Sequence, residues 1–445
     1  AGTTPAKSEY QGYYPQLESA KKGDYYWNES IHPEVRAVEK INTKDTKFNE
    51  LLQLGFGFVS PICQDGIVQG TAPLLCLGSE NEREGILKTD NALYFSFRKG
   101  VSQQTYPSSL MGSIALLRQA LYDLEYFKKV PSAPLGKQSM QPWIAFESLP
   151  SFFKLNDKWD ILRAERIAKE FNKSFVYGTS GNEYAIADQL KNENTRLVVP
   201  LNFPKPFDLN DPNAVRNVSI EELKHWEMAP YNFMILKEKG LQVALTSQGI
   251  PANEFWKAIR KMIALGANPN DILEALTLTP AAFLQADSLL GTLEPGKLAS
   301  FGLYSHDPFQ YKAELHEMWC LGVKKTFKNM YANVLGKYTL KLNNARYELE
   351  VKGLPEKPTA TIVEHKDIWD KKLKIFKKDS LLTNVSISVI EQNVVFQANF
   401  EKEDTLQPYI FRGKIIGSGS VWEGDLMYPD GSWGQWSAIR KMKIK

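Results

Sequence analysis

Metal-assisted hydrolysis needs imidazole, thiolate or carboxylate groups converging on one point. The chain offers five histidines, His32, His225, His306, His316 and His365, and no two of them form an HxH pair. Its cysteines, Cys63, Cys76 and Cys320, include no CxxC and so no zinc-type cluster. Cys63 and Cys76 flank a glycine-containing loop and would pair in an oxidising compartment; the blander alternative is that they are small buried hydrophobes. There is no G-x-S-x-G elbow, P-loop or strand-placed G-x-G-x-x-G. "GSGS" (417–420) lies in a β context, where a turn explains it better than a phosphate cradle.

Other polar groups end apolar runs: Glu147 in "WIAFES", Thr179 in "VYGTS", Asn202 in "PLNF" and Ser247 in "VALTS". His32 sits in a Pro-adjacent loop and is the leading histidine candidate, while His225 lies on an amphipathic helix and is expected to pack or cap. A single carboxylate such as Glu147 is more often a hydrogen-bonded structural residue than a ligand.

The elements that must carry these groups alternate between about 36 and 300. "FNELLQLG" reads as a helix closing on Gly55, and "FGFVSPI" and "ALYFSF" read as strands. The strongest helix is "YPSSLMGSIALLRQALYDLEYFKK", whose Leu110, Ile114, Leu117, Leu121 and Leu124 form one stripe, with Ser108 or Ser109 as cap. "WIAFES", "SFVYGTS", "TRLVVPLNF" and "LQVALTS" read as strands. Helices fall between and after them, including "SIEELKHWEM" with a capping box from Ser219 to Glu222. Nearly all-apolar strands separated by helices suit parallel strands buried on both faces. A (β/α)8 TIM-like barrel over 24–299 is the natural closure, a doubly wound sheet having the same local pattern. Residues 1–23 read as irregular and 300–345 as return strands of a β-sandwich. The "PEKP" at 355–358 reads as a linker within a C-terminal all-β module spanning 346–445. "PDG" near its end signals a hairpin, and Trp422, Trp433 and Trp436 are expected in its core rather than in a ligand groove.

Several phrases carry a family resemblance. "ALTLTPAAFL", followed by "GTLEPGKLASFGLYSHDP", resembles the closing segment of the amidohydrolase superfamily, especially its imidazolonepropionase-related members. "WNESIHPEVRAVEKINTKDTKFNELLQLGFGFVSP", "DGIVQGTAPLLCL", "PLNFP" and "LKHWEMAP" resemble one bacterial subfamily, typical of Bacteroidetes. There this domain is the first half of a longer protein with a second, better-preserved amidohydrolase half. The resemblance covers roughly 24–340. It implies a barrel whose metal ligands are an HxH at strand one, often Lys or Glu at strand four, His at strands five and six, and Asp at strand eight. At those places this chain has Glu147 for strand four, "VYGTS" with Thr179 for five, Asn202 for six and Ser247 for eight. Ser300 stands where the closing phrase usually has Asp, and strand one is expected before Ala1, where the chain reads as cut. Neutral hydroxyls and amides cannot hold zinc alone.

The expectation is therefore a metal-free amidohydrolase-like domain without a cofactor: a non-catalytic structural or regulatory partner of an active amidohydrolase half or a neighbouring chain. Its cleft is expected to take a small molecule or peptide through Glu147, Thr179, Asn202, Ser247 and His32. Two alternatives stand beside it. One is a zinc-dependent hydrolase of C–N bonds in cyclic or peptide-like amides, with ligands supplied by a missing segment or partner. The other is a cell-envelope binding protein that works through the β module. A formal net charge of +3 gives no footprint for nucleic acid, and no apolar run reaches the ~18 residues of a membrane span. The lysine run "KKLKIFKK" (371–378) reads as edge protection. The resemblance implies an extracytoplasmic location, in the periplasm or cell envelope.

Overall fold

The computed structural model describes residues 15–42, 45–79, 83–190, 195–207, 218–328, 334–342, 345–354, 357–370, 375–402, 405–416 and 419–441. It divides into two units, Ala1–Phe327 and Lys328–Lys445.

In the first unit, helix α1 (Thr46–Gln53) leads into β1 (Phe58–Val59), β2 (Val68–Cys76) and β3 (Ile86–Ser96). Helices α2 (Leu110–Lys129) and α3 (Lys137–Ala145) follow. Then come β4 (Ser151–Lys154), α4 (Lys158–Glu170), β5 (Phe175–Gly178), β6 (Arg196–Pro200), α5 (Ile220–Met228), α6 (Asn232–Glu238) and β7 (Gln242–Thr246). Helices α7 (Ala252–Ala264), α8 (Pro269–Leu276) and α9 (Leu278–Phe283) close the run. Strands β1 to β7 form one sheet in chain order. The first three are antiparallel, and β3 through β7 are parallel. The described residues thus give a seven-stranded sheet in linear order, mixed rather than all parallel. Residues 68–76, quoted above only for their resemblance, supply a strand that runs against the parallel set.

The alternation of side chains explains the two buried faces. Phe95, Phe153, Tyr177, Leu197 and Val243 pack in the large core with α2 and α4. The residues just before or after them, Tyr94, Phe152, Val176, Val198 and Ala244, pack together on the other face with Phe283 of α9. Both faces are covered, as the continuous apolar runs require. Ser109 caps α2 through the Gly112 amide, and the buried stripe is Leu116, Leu117, Ala120, Leu121, Leu124 and Phe127. Leu110 sits at the exposed helix start, so the stripe begins a turn later than its leucine spacing suggests.

"WIAFES" is not a strand. Trp143 and Ile144 end α3, whose buried Ser139, Met140 and Trp143 share a helical face. The apolar run was helical surface, and the strand begins later, at Ser151. "EYAIADQLKN" gives a 3₁₀ helix, Glu183–Gln189. The capping box of α5 forms as read, with both reciprocal bonds between Ser219 and Glu222. Beyond α9 a three-stranded antiparallel sheet has the order β10–β9–β8, from β8 (Phe301–Tyr304), β9 (Leu315–Cys320) and β10 (Val323–Thr326).

The second unit is a closed barrel of eight antiparallel strands in chain order. They are β11 (Gly336–Leu342), β12 (Ala345–Leu354), β13 (Lys357–Asp370), β14 (Ile375–Ile390), β15 (Asn393–Lys402), β16 (Thr405–Ile416), β17 (Val421–Met427) and β18 (Trp433–Arg440). β11 pairs with β18 to close the ring. Of the "PEKP" run, Lys357 and Pro358 belong to β13 and pair with Leu354 and Gly353 of β12, and residues 355–356 lie outside the described residues. Part of the lysine run (371–374) lies outside the described residues. The "PDG" hairpin forms, with Tyr428 N–H donating to Ser432 O at 2.9 Å and Gly431 at φ +82. Trp422 and Trp436 are core, whereas Trp433 is 56% exposed. Among the described residues no helix is long and apolar enough to cross a membrane.

Candidate functional site

The parallel strands end almost flush. Ser96 pairs with Lys154, Lys154 with Gly178, Gly178 with Val198, and Val198 with Ala244. Residues just past these positions therefore share one edge, where α/β folds place their chemistry. Thr179 follows β5, Asn202 follows β6 and Ser247 follows β7, so the sheet brings these three to neighbouring loops at one edge. Thr179 is tied to β6: its amide and its Oγ1 both donate to Val198 O, at 3.0 and 3.3 Å. Asn202 faces glycines on both neighbouring loops. A Cβ on Gly181 would lie 3.7 Å from its Oδ1, and one on Gly249 would lie 3.6 Å from its Nδ2. Ser247 accepts the Ile250 amide through its carbonyl at 3.4 Å.

The loop after β5 is built around a buried carboxylate that the sequence pattern did not single out. Glu183 Oε1 accepts from the Ser180 and Gly181 amides, each at 2.9 Å. Its Oε2 accepts from Asn232 Nδ2 at 2.8 Å. With both oxygens engaged and the side chain fully buried, Glu183 is a loop clamp. Beside it Tyr184 stacks on His225, ring centroids 6.0 Å apart, with Tyr184 Oη 3.3 Å from His225 Nδ1. His225 thus packs, as its amphipathic helix suggested; burial lowers its pKa.

Lys154 is the edge residue that sequence reasoning missed. It ends β4 two residues after Phe152, whose side chain packs on the second sheet face. Its Nζ donates to Gln64 Oε1 at 2.6 Å. Burial, and then the neighbouring Arg98 charge, push its pKa down. The signal was there: a lysine closing the apolar pair Phe152–Phe153. It was hidden because "WIAFES" occupied the strand assignment.

Glu147 lies elsewhere. It follows α3 and precedes β4, four residues before the strand begins, hence towards the opposite edge from Thr179, Asn202 and Ser247. Its carboxylate bridges Lys128 (2.7 Å) and Lys173 (2.9 Å). Partial burial opposes ionisation, but the two ammonium groups hold its pKa below the ordinary value.

His32 sits beside β2, at the flank of the sheet away from β7; its amide donates to Val68 O at 3.1 Å. The ring is 5% exposed, neither nitrogen has a hydrogen-bond partner, and Asp65 Oδ2 is 4.0 Å from Nε2. Burial first, then the charges of Lys21 and Lys40, lower its pKa to about 3, so the ring is neutral. Gly66 allows this packing, because at φ +81 its absent Cβ would lie 2.3 Å from His32 Nε2.

The donor set at the edge does not fit a zinc ion. A hydroxyl, an amide and a second hydroxyl supply neither charge nor basicity, and the lysine beside them is hydrogen-bonded to an amide. Among the described residues no group of three or more His, Cys, Asp or Glu could hold a metal.

No family model and no curated protein matches the sequence. Among solved structures, an amidohydrolase from Thermotoga maritima MSB8 is similar at a TM-score of 0.55 and 24% identity, over 73% of this chain and 85% of that one. A prolidase complexed with N-methylphosphonate-L-proline gives 0.33 and 12%, over 51% and 60%. Another amidohydrolase gives 0.30 and 12%, over 42% and 48%; scores of that size carry no argument. The first likeness establishes a shared fold.

Proposed function

We propose that this chain is an amidohydrolase-superfamily domain of the imidazolonepropionase-related type that works without catalysis, as a structural or regulatory partner of an active amidohydrolase half. One observation carries the reading. Thr179, Asn202 and Ser247 occupy adjoining strand ends, where the resemblance implies histidine, histidine and aspartate. The frame that aligns ligands is kept; the groups at its fifth, sixth and eighth positions are neutral, and Lys154 stands at the fourth. Such an edge still presents hydroxyl and amide groups to a small polar molecule or peptide, and Asn202, seated between two glycine-bearing loops, is its centre.

The test is hydrolysis. The chain, offered zinc or manganese and a five-membered cyclic amide or a dipeptide, is expected to give no turnover above buffer. Metal-dependent turnover abolished by Lys154→Met or Ser247→Ala would establish the enzyme reading instead.

A further inference from the structure

Two of the three cysteines meet in space, and they are not the pair their spacing suggested. Cys76 ends β2 and Cys320 ends β9, and both are buried in one small apolar cluster with Leu52 and Met318. Cys320 packs directly on the chain that follows Cys76. A Cβ on Gly78 would lie 2.5 Å from Cys320 Cβ and 2.8 Å from its Sγ, so only glycine admits the approach. The Cys76 side chain lies within reach of the Cys320 side chain and of the Gly78 and Ser79 amides, and Cys320 Sγ donates to Gly57 O at 4.0 Å. The Cys320 contact, opposed by burial and helped by the two amides and the Lys325 charge, lowers the Cys76 pKa. The Cys76 contact, and then burial, raise the Cys320 pKa. Cys63 stands apart; burial raises its pKa.

Two cysteines buried in one cluster, both against the Gly78 turn, match the arrangement of an attacking and a resolving cysteine. We propose that Cys76 and Cys320 are a redox-convertible pair that reacts with a small peroxide to form a disulfide tying β2 to β9. In the first step the Cys76 thiolate attacks one oxygen of hydrogen peroxide. The O–O bond breaks, the leaving hydroxide takes a proton as water, and Cys76 becomes a sulfenic acid. In the second step Cys320 sulfur attacks the Cys76 sulfur, the S–O bond breaks, and the hydroxide leaves as water with the Cys320 proton. Two thiols are oxidised, one peroxide is reduced to two waters, and no other reagent is needed. The covalent link joins the antiparallel flank of the large sheet to the three-stranded sheet, within one unit of the fold.

The experiment treats the reduced full-length chain with hydrogen peroxide under native conditions, blocks residual thiols in denaturant, and maps the peptides by mass spectrometry. The expected product is a Cys76–Cys320 disulfide with Cys63 alkylated, reversed by dithiothreitol. The oxidised chain should melt roughly 5 °C higher, because the link closes a long loop. In Cys320→Ser the Cys76 sulfenic acid has no resolving thiol and should be trapped by dimedone. Full alkylation of both cysteines after peroxide, a Cys63–Cys76 link, or accumulation of Cys76 sulfinic acid in the wild-type chain would each overturn the proposal. The mapping is done on the wild-type chain, so it does not depend on the variant's folding.

Discussion

His32 shows how a residue type can suggest chemistry that its surroundings refuse. An imidazole in a loop near a strand edge invites a ligand role, yet both its nitrogens are buried without partners and its pKa is lowered to about 3. The unfolded chain titrates this group near 6.5, so between those values the unfolded state binds the extra proton. Its contribution to stability is therefore complete above about pH 6.5 and is lost as pH falls towards 3, at up to about 1.4 kcal/mol per pH unit. In pH-dependent urea unfolding, wild type should lose stability over that window more steeply than His32→Asn. Equal slopes, or an NMR titration of the His32 ring near 6.5, would contradict this packing. Glu147 is the converse case. Its two lysine contacts are partly exposed, so Glu147→Gln should cost about 0.5–1 kcal/mol by denaturant titration and leave any ligand affinity of the Asn202 edge unchanged. A binding defect without a stability loss would return Glu147 to the site.

At the scale of elements, legibility followed periodicity. The long helix Leu110–Lys129, the capping box at Ser219 and the "PDG" turn each had a local signature with a local cause, and each forms. The strand placed on "WIAFES" failed because four apolar residues fit either a buried strand or one face of a short helix. Burial of Met140 with Trp143 decided for the helix. The error then displaced the strand-four position from Lys154 to Glu147, so one misread run cost both an element and a site residue. The place of Thr179, Asn202 and Ser247 just past strand ends was legible because each closes an unambiguous apolar run. The Cys76–Cys320 contact was not, since no local pattern reports which distant strands meet. Helix α5 offers a test at this scale. It buries no residue of its own, so its cap matters locally. Ser219→Ala should remove about 1 kcal/mol from the helix and speed amide exchange in Ile220–Met228, with global stability nearly unchanged. Unaltered exchange there would mean packing, not the cap, holds the helix.

At the scale of the molecule, an α/β sheet that carries Lys154 and the neutral Thr179, Asn202 and Ser247 at one edge accompanies a barrel that has its own aromatic core. Phe396 and Phe411 stack 4.2 Å apart, with Trp436 edge-on to both. Tyr338 packs on Trp422 under the Arg440 guanidinium, which donates to the tyrosine oxygen. A ring closed by β11 and β18 leaves no free edge. Residues 328–445 expressed alone should therefore unfold in one cooperative transition; a non-cooperative melt would show that the barrel borrows stability from the rest of the chain.

At the strand ends where the resemblance implies histidine, histidine and aspartate, the sheet carries the neutral Thr179, Asn202 and Ser247. Elemental mass spectrometry on untagged protein, loaded with zinc and then desalted, tests it most directly. The account predicts far less than one zinc per chain. About one tightly held zinc per chain, lost in Lys154→Met or Ser247→Ala, would contradict it.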